Sequence, residues 1–259
     1  MQNIVDTVMN AFSDKQQIID TVKDTFDFPP GEVESTFMKG LEIVNVTIIV
    51  TIILELYSLD TTKIIWAKDK SLYLQAVALN FVNHYLYGIP VYMVAALFFV
   101  RKVDEEYSAA FVALQTLGVM AVHSLCYYEM HKTFHTFPKL YKYHKFHHRF
   151  HTHVTPMVAN AVGFVEYMLA YVVPFAVAGA IVRPYADCLI LAVYITSLTN
   201  LSIHTPKIEA WSEKNMPSWL VSTHDHLEHH KKLTVHYGAP TLNVDWAVAK
   251  LNGGGRKVQ

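Results

Sequence analysis

Long apolar stretches alternate with short polar ones along this chain. The apolar runs cover residues 41–59, 73–100, 108–130, 161–182 and 185–203. Each run is close to or longer than the roughly 20 residues that a helix needs to cross the hydrocarbon core of a bilayer. Because a spanning segment must satisfy its own backbone hydrogen bonds, the pattern predicts an all-α integral membrane bundle of four to five spans.

The N-terminal residues 1–40 differ from the rest. Apolar residues recur there at helical spacing in a mostly polar stretch, from Ile4 to Val22, and a Pro-Pro-Gly sequence at 29–31 ends the pattern. We therefore expect an amphipathic, interfacial region over residues 1–40. The remainder, residues 41–259, then forms one membrane domain.

The connections between the runs predict where the polar segments lie. The last two runs are joined only by residues 183–187, so they form a hairpin that returns the chain to the side of the membrane that it left. Segments 131–160 and 204–259 therefore lie on one side. Basic residues mark that side as cytoplasmic. They are Lys132, Lys139, Lys142, Lys145 and Arg149.

The composition agrees with a membrane protein, since 52% of the residues are hydrophobic and only 17% are charged. The net charge is −1 and the basic residues are scattered, which argues against nucleic-acid binding. Both cysteines, Cys126 and Cys188, fall in apolar runs, as is typical of buried thiols rather than of a disulfide framework.

Histidine is concentrated in one part of the chain: 13 of the 15 histidines lie between His131 and His236. Most of them form three boxes at metal-ligand spacing. Box one has His131 and His135, box two has His144, His147 and His148, box three has His226, His229 and His230, and His204 stands alone at the end of the last run.

The spacing within the boxes indicates shared helix faces. Residues at positions i, i+3 and i+4 lie on the same side of a helix, so each box presents its imidazoles together. Eight box ligands are too many for one four-coordinate zinc and suit two metal ions of higher coordination number, with His204 as a ninth ligand. The sequence thus predicts a dinuclear metal site in a histidine-rich helical cap. Imidazole suits iron, zinc or copper, so the ligands leave the metal open.

Several residues near the boxes have roles that the sequence leaves open. His84 and His123 lie within apolar runs, where a histidine can line a pocket or contact a ligand. Asp225 and Glu228 can orient imidazoles by hydrogen bonds or lie at the surface. The other histidines that flank the boxes are His151, His153, His224 and His236.

The segment His131–His148, HKTFHTFPKLYKYHKFHH, resembles the first two boxes of the fatty acid hydroxylase and sterol desaturase superfamily. The nine-residue step from His135 to His144 separates it from membrane acyl desaturases, which usually have a span-containing segment there. Glu166 and the ending from His226 through Tyr237-Gly238 to Asp245-Trp246 also match in order, and the resemblance covers about residues 108–250.

This resemblance implies an O2-dependent oxidoreductase, a lipid monooxygenase or desaturase whose nine histidines bind two iron ions, with zinc as a replacement in purified material. The implied substrate is a sterol or methylsterol, as in sterol biosynthesis, or a fatty acyl chain. The sequence given contains no His-Pro-Gly-Gly signature of a haem-binding domain. We therefore expect a separate electron donor, either a small b-type cytochrome with its reductase or a ferredoxin.

The resemblance also implies a location, the endoplasmic reticulum of a eukaryote with the metal site cytoplasmic, or the inner membrane of a bacterium. Two other functions fit parts of the pattern. A carotenoid or ether-lipid hydroxylase has similar boxes on similar spans. A zinc-binding membrane protein or a metal transporter also has clustered histidines, although transporters tend to hold their ligands near the middle of the membrane.

Overall fold

The computed structural model describes residues 31–101 and 107–253, together with Asp20 and Pro29. Helices form most of this part of the chain, and the described residues contain no β-strand. Five of the helices are long and apolar enough to cross a membrane. The predicted all-α membrane bundle is therefore confirmed, with five candidate spans.

We number the helices of the described residues in chain order. The candidate spans are α1 (Glu32–Tyr57), α2 (Leu59–Phe98), α3 (Ala109–Thr136), α5 (Phe164–Val182) and α6 (Ala186–Ile203). The shorter helices are α4 (Pro138–His144), α7 (Glu209–Asn215), α8 (Thr223–Lys232) and α9 (Val244–Leu251). Single 3-10 turns cover His147–Phe150, Pro156–Val158 and Pro206–Ile208.

The first span begins earlier than the apolar run at residue 41. Glu32 and Glu34 occupy the first turn of α1, where carboxylates interact favourably with the free N–H groups of a helix. The buried Val33 and Phe37 already pack into the bundle. Apart from Asp20, Pro29 and residues 31–40, the predicted N-terminal interfacial region lies outside the described residues.

The second span also begins before its apolar run, and a break explains the difference. Asp69 has non-helical dihedral angles inside α2 (φ −155°, ψ 84°), and its carboxylate accepts a hydrogen bond from the Leu72 N–H at 2.9 Å. It therefore caps the helix that follows. The predicted run at 73–100 corresponds to this second part of α2.

Two of the spans contain a π-helical turn. These turns cover Val82–Gly88 in α2 and Tyr167–Val172 in α5, and each is followed by a proline, Pro90 or Pro174. Proline lacks an N–H and its ring crowds the carbonyl one turn earlier. A wider turn ahead of each proline relieves that crowding and lets the span continue.

The polar segments emerge at one end of the bundle. At the opposite end, the Arg101 N–H donates to the Pro184 carbonyl at 2.9 Å, so the chain just beyond α2 meets the turn between α5 and α6. At the near end, the Glu55 carboxylate near the end of α1 accepts from the Met157 N–H. The histidines of segments 131–160 and 204–253 come together at this same end of the bundle, as the hairpin predicted.

The outer surfaces of the spans are apolar. Helix α1 buries Val44 and Ile48 in the bundle but exposes Ile49, Ile53 and Leu56. Exposed aliphatic side chains on this scale suit contact with lipid rather than with water. Inside the bundle, α3 packs against α5 and α6.

Two glycines test how closely the spans pack. A Cβ on Gly40 in α1 would lie 2.9 Å from the Tyr92 ring of α2, whereas a Cβ on Gly118 would lie 3.6 Å from Val182, an ordinary contact. Alanine is about 1 kcal/mol better than glycine within a helix. We expect Gly118→Ala to raise the melting temperature in detergent and Gly40→Ala to lower it, because the clash outweighs that gain. Equal melting temperatures would mean that α1 and α2 do not pack as described.

Candidate metal centre

Boxes one and two are separated by a break in the helix. Helix α3 ends at Thr136 because Pro138 follows, and a residue before proline avoids the helical region. Phe137 accordingly has extended dihedral angles (φ −106°, ψ 107°). The chain then turns into the short helix α4, which carries His144 as its last residue. Both boxes are thereby held at the same end of the bundle.

Box three lies on α8, whose first turn is fixed by a reciprocal cap. The Ser222 side chain accepts from the Asp225 N–H, and the Asp225 carboxylate accepts from the Ser222 N–H. The Glu228 carboxylate is bonded by Lys231 and Lys232. The two acidic residues whose role the sequence left open therefore stabilise the helix and its surface, and neither contacts a box imidazole.

The nine candidate ligands converge into two groups. Within each group, the ligand atoms all lie within 4.8 Å of one another. Group one contains His131, His135, His144, His148 and His229, and group two contains His147, His204, His226 and His230. Each group can hold a metal ion.

Box three is divided between the groups. His226 and His230, one turn apart on α8, belong to group two, while His229 belongs to group one. All three imidazoles therefore lie on the buried side of one helix, as the spacing predicted, but this side spans the boundary between two sites. A single helix thus contributes to both groups.

Box two is divided as well, and here the predicted geometry is wrong. Helix α4 ends at His144, so His147 and His148 lie on a 3-10 turn rather than on the same helix. The turn directs His148 to group one and His147 to group two. The ring centroids of His148 and His230 are 4.7 Å apart across the boundary. The two groups are therefore direct neighbours.

Main-chain carbonyl groups orient three of the imidazoles. The Nδ1 atoms of His131, His204 and His229 lie 2.7–2.8 Å from the carbonyl oxygens of Tyr237, Asn200 and Val235, respectively. A carbonyl oxygen can only accept, so each Nδ1 carries the proton. The Nε2 atom then has a free lone pair, which is the state that a metal ion requires.

A carboxylate orients a fourth imidazole. The His144 Nδ1–H donates to Glu166 Oε1, and both side chains are buried. Histidine ligands commonly donate their second N–H to a carboxylate, which fixes the ring and makes the ligating nitrogen more basic. The sequence identified Glu166 only as a position shared with the family. Its contact with His144 depends on the fold.

The Nε2 atoms of neighbouring ligands face one another. In group one, the Nε2 atoms of His131 and His144 are 3.1 Å apart although both rings carry their proton on Nδ1. In group two, the Nε2 atoms of His204 and His226 are 3.0 Å apart. Facing lone pairs repel at this distance unless a proton or a cation lies between them. The donor set therefore fits a bound metal ion in each group.

Three candidate ligands outside the spans are held neutral by their surroundings. Burial, followed by the neighbouring imidazoles, keeps the pKa of His226 and His230 well below the ordinary value. Burial likewise lowers the pKa of His204 to about 4. At neutral pH these rings are uncharged, so a metal ion does not have to displace a proton in order to bind.

The remaining histidines belong to neither group. His84 in α2 donates to the Asn80 carbonyl, and His123 in α3 packs against Phe175. His224 pairs with Glu209 at the surface. The others outside the two groups are His151, His153 and His236.

Fold and site together define a class of protein: an integral membrane helical protein with a buried, all-imidazole site for metal ions at one end of the bundle. The family model described as fatty acid hydroxylase matches residues 116–249, which include all nine histidines. Because this match covers more than half of the chain, the protein belongs to the fatty acid hydroxylase family. The resemblance seen in the sequence is thereby confirmed.

Membership in this family implies an oxidoreductase that acts on lipids, and the family is typically di-iron. Neither a curated protein nor a solved structure shows a significant match to this chain.

Removing the carboxylate that orients His144 tests the first group. We expect Glu166→Ala to lower the affinity of group one for a metal ion by roughly 10–100-fold, because the ring loses its orientation and basicity. The matched control is Glu228→Ala, whose carboxylate lies within box three but contacts only lysines. Metal titration of the purified variants is the measurement. Equal affinities for both variants would contradict the role of Glu166.

Proposed function

We propose that this protein is a membrane-bound, non-haem di-iron oxygenase that hydroxylates or desaturates a lipid with O2 and electrons from a separate donor. The observation that carries the proposal is the pair of adjacent, buried groups in which facing imidazole nitrogens lie at the end of a membrane bundle. Two iron ions bound there would supply the reductive activation of O2 that attack on an unactivated C–H bond requires.

The overall reaction balances in two ways. Hydroxylation places one oxygen atom in the C–H bond and reduces the other to water with two electrons and two protons. Desaturation removes two hydrogen atoms from neighbouring carbons, and both oxygen atoms leave as water when two further electrons and two protons are supplied. Either outcome needs an external reductant.

The chain's own residues prepare the site for this chemistry. The hydrogen bonds from Nδ1 to carbonyl groups and to Glu166 hold the ligating nitrogens in place before a metal ion binds. Because every ligand of group two is buried, bulk water is largely excluded from that group. A site of this kind protects a reactive oxidant from side reactions.

An apolar cavity supports a lipid substrate. It has a volume of about 270 Å³ and lies between α2, α5 and α6, lined by Val94, Phe175 and Gly179 among other apolar residues. The ring of Phe175 contacts His123 at 4.2 Å between centroids. Tyr127 stacks on His123 and makes a tilted ring contact with His131, so a series of ring contacts joins the cavity wall to group one. A sterol, a methylsterol or a fatty acyl chain would reach the site from within the bilayer.

The surface beside box two supports a separate electron donor. Lys139, Lys142, Lys145 and Arg149 are exposed there, and such a surface attracts a donor with acidic groups. A small b-type cytochrome with its reductase, or a ferredoxin, fits this requirement. The same basic residues favour a cytoplasmic orientation, in the endoplasmic reticulum of a eukaryote or in the inner membrane of a bacterium.

An untargeted comparison of cellular lipids tests the activity. Cells that express the wild type should contain a lipid that has gained one oxygen or lost two hydrogens, and cells that express His147→Ala should lack it because group two loses a ligand. His224→Ala is the matched control, since His224 lies outside both groups. Identical lipids in all three would refute the oxygenase proposal, and exchangeable zinc without O2 consumption would favour a zinc-binding or transport protein.

The donor is tested with purified protein in lipid nanodiscs. Product should form only when a reduced b-type cytochrome or ferredoxin is added, and the rate should fall as salt increases, because screening weakens the attraction between the basic surface and the donor. Charge reversal at Lys142 and Lys145 should reduce the rate in the same way. Full activity with O2 alone would rule out a separate donor.

A further inference from the structure

The segment 155–163, between box two and α5, is buried from Thr155 to Val162 although only one 3-10 turn lies within it. Buried backbone N–H and C=O groups that are not in regular structure need partners elsewhere, since an unpaired one is costly. The segment makes three backbone hydrogen bonds of its own, donated by Val158, Ala159 and Ala161, and side chains from outside bind several of its remaining polar groups. Side chains from α1, α2 and α5 supply these further partners, the last of them through the Tyr171 hydroxyl, which donates to the Ala159 carbonyl.

Helix α1 holds the segment through Glu55, which is only 6% exposed. One carboxylate oxygen accepts from the Met157 N–H at 2.9 Å. The other accepts from the hydroxyl groups of Thr62 and Tyr73, both at 2.7 Å. Both oxygens of this buried carboxylate are thus bonded, which is the condition for a stable buried charge.

Helix α2 holds the same segment through two buried amides. The Asn83 side-chain amide donates to the carbonyl groups of Asn160 and Val162, at 2.7 Å and 2.9 Å. The Asn80 amide donates to the Met157 carbonyl at 3.0 Å. Glu55 and Asn80 therefore bind the N–H and the carbonyl group of the same residue, Met157.

The segment in turn contacts the residues that orient both metal groups. The Asn160 side-chain oxygen accepts from the Asn200 amide at 3.0 Å, and the Asn200 carbonyl orients His204 of group two. At its other end, the segment leads directly into Glu166, which orients His144 of group one. A shift of the segment would therefore disturb the outer contacts of both groups.

We infer that Glu55 and Asn83 are positioning residues of the metal centre: they hold segment 155–163 in the one place where Asn200 and Glu166 orient a histidine of each group. Both lie ahead of the matched residues 116–249, so the first two spans complete the site. The inference rests on the proposed function of the two groups as metal sites. Residues that orient metal ligands typically change metal affinity by roughly 10–100-fold when they are replaced.

Cobalt(II) titration of the purified full chain in detergent tests this role, with the visible absorption spectrum as a report of ligand geometry and thermal unfolding measured alongside. We expect Glu55→Leu and Asn83→Asp to weaken cobalt binding at least tenfold and to change the spectrum. The carboxylate that Asn83→Asp introduces has nearly the shape of the native amide, but it faces two carbonyl oxygens without a proton to donate.

Two further variants separate positioning from general stability. Glu55→Gln should bind cobalt almost as the wild type does, because the glutamine oxygen can accept from Met157 while its NH2 donates to the two hydroxyl groups. Thr47→Val is the matched control on α1, since the buried Thr47 hydroxyl bonds only to its own helix at Ile43. It should leave the spectrum unchanged.

The inference is overturned if folded Glu55→Leu and Asn83→Asp bind cobalt with wild-type affinity and spectrum. Should neither variant fold, Tyr73→Phe decides, because it removes one hydrogen bond to Glu55 and keeps the ring; unchanged cobalt binding there would overturn the inference as well. The two tests can also give different answers. If the variants bind cobalt more weakly but the wild type forms no oxidised lipid, the positioning role is upheld and the oxygenase proposal is refuted. The two failures are therefore distinguishable.

Discussion

One constraint dominates this structure: buried imidazole nitrogens face one another with their lone pairs, and this arrangement is repulsive unless a cation lies between them. His131 and His144 both hold their proton on Nδ1, by donating it to a carbonyl group or a carboxylate, and their Nε2 atoms then meet at 3.1 Å. No hydrogen bond can form between two nitrogens that both lack a proton. A metal ion held by these histidines would replace this repulsion with coordination, which would couple metal binding to the packing of this end of the bundle.

The rest of the fold holds these nitrogens in position. The proline after α3 turns box two back towards box one, and the hairpin of α5 and α6 returns the chain so that His204 and α8 join them. The four hydrogen bonds that the Nδ1–H groups donate end on three parts of the chain: two on the loop after α8, one on the last turn of α6 and one on the start of α5. The site is therefore a property of the whole bundle, including the first two spans, and not of the boxes alone.

Much of this could be predicted from the sequence because the responsible patterns are local. The length of the apolar runs predicted the spans, and the short connection at residues 183–187 placed the polar segments together. The spacing of the histidines identified eight of the nine residues that the structure brings together, and the place of His204 at the end of the last run identified the ninth. The ends of α1 and α2 were less accurate. The carboxylates in the first turn of α1 and the cap at Asp69 extend or divide helices in ways that hydrophobicity does not report.

The features that were missed are long-range. The division of boxes two and three between two groups depends on where α4 ends and on the direction from which α8 approaches. The contact of Glu166 with His144 and the role of Glu55 connect residues that are far apart in sequence. From the sequence alone, an acidic residue in an apolar run is expected to have a partner, but the partner cannot be identified.

The most direct test of the two-site arrangement is the Mössbauer spectrum and iron content of the purified full chain after anaerobic reconstitution with an enriched iron isotope. The arrangement predicts two ferrous ions per chain, both in nitrogen-rich coordination, and a spectrum that changes when O2 is admitted. One iron ion or none per chain, or two ions at the surface that a chelator removes at once, would contradict it.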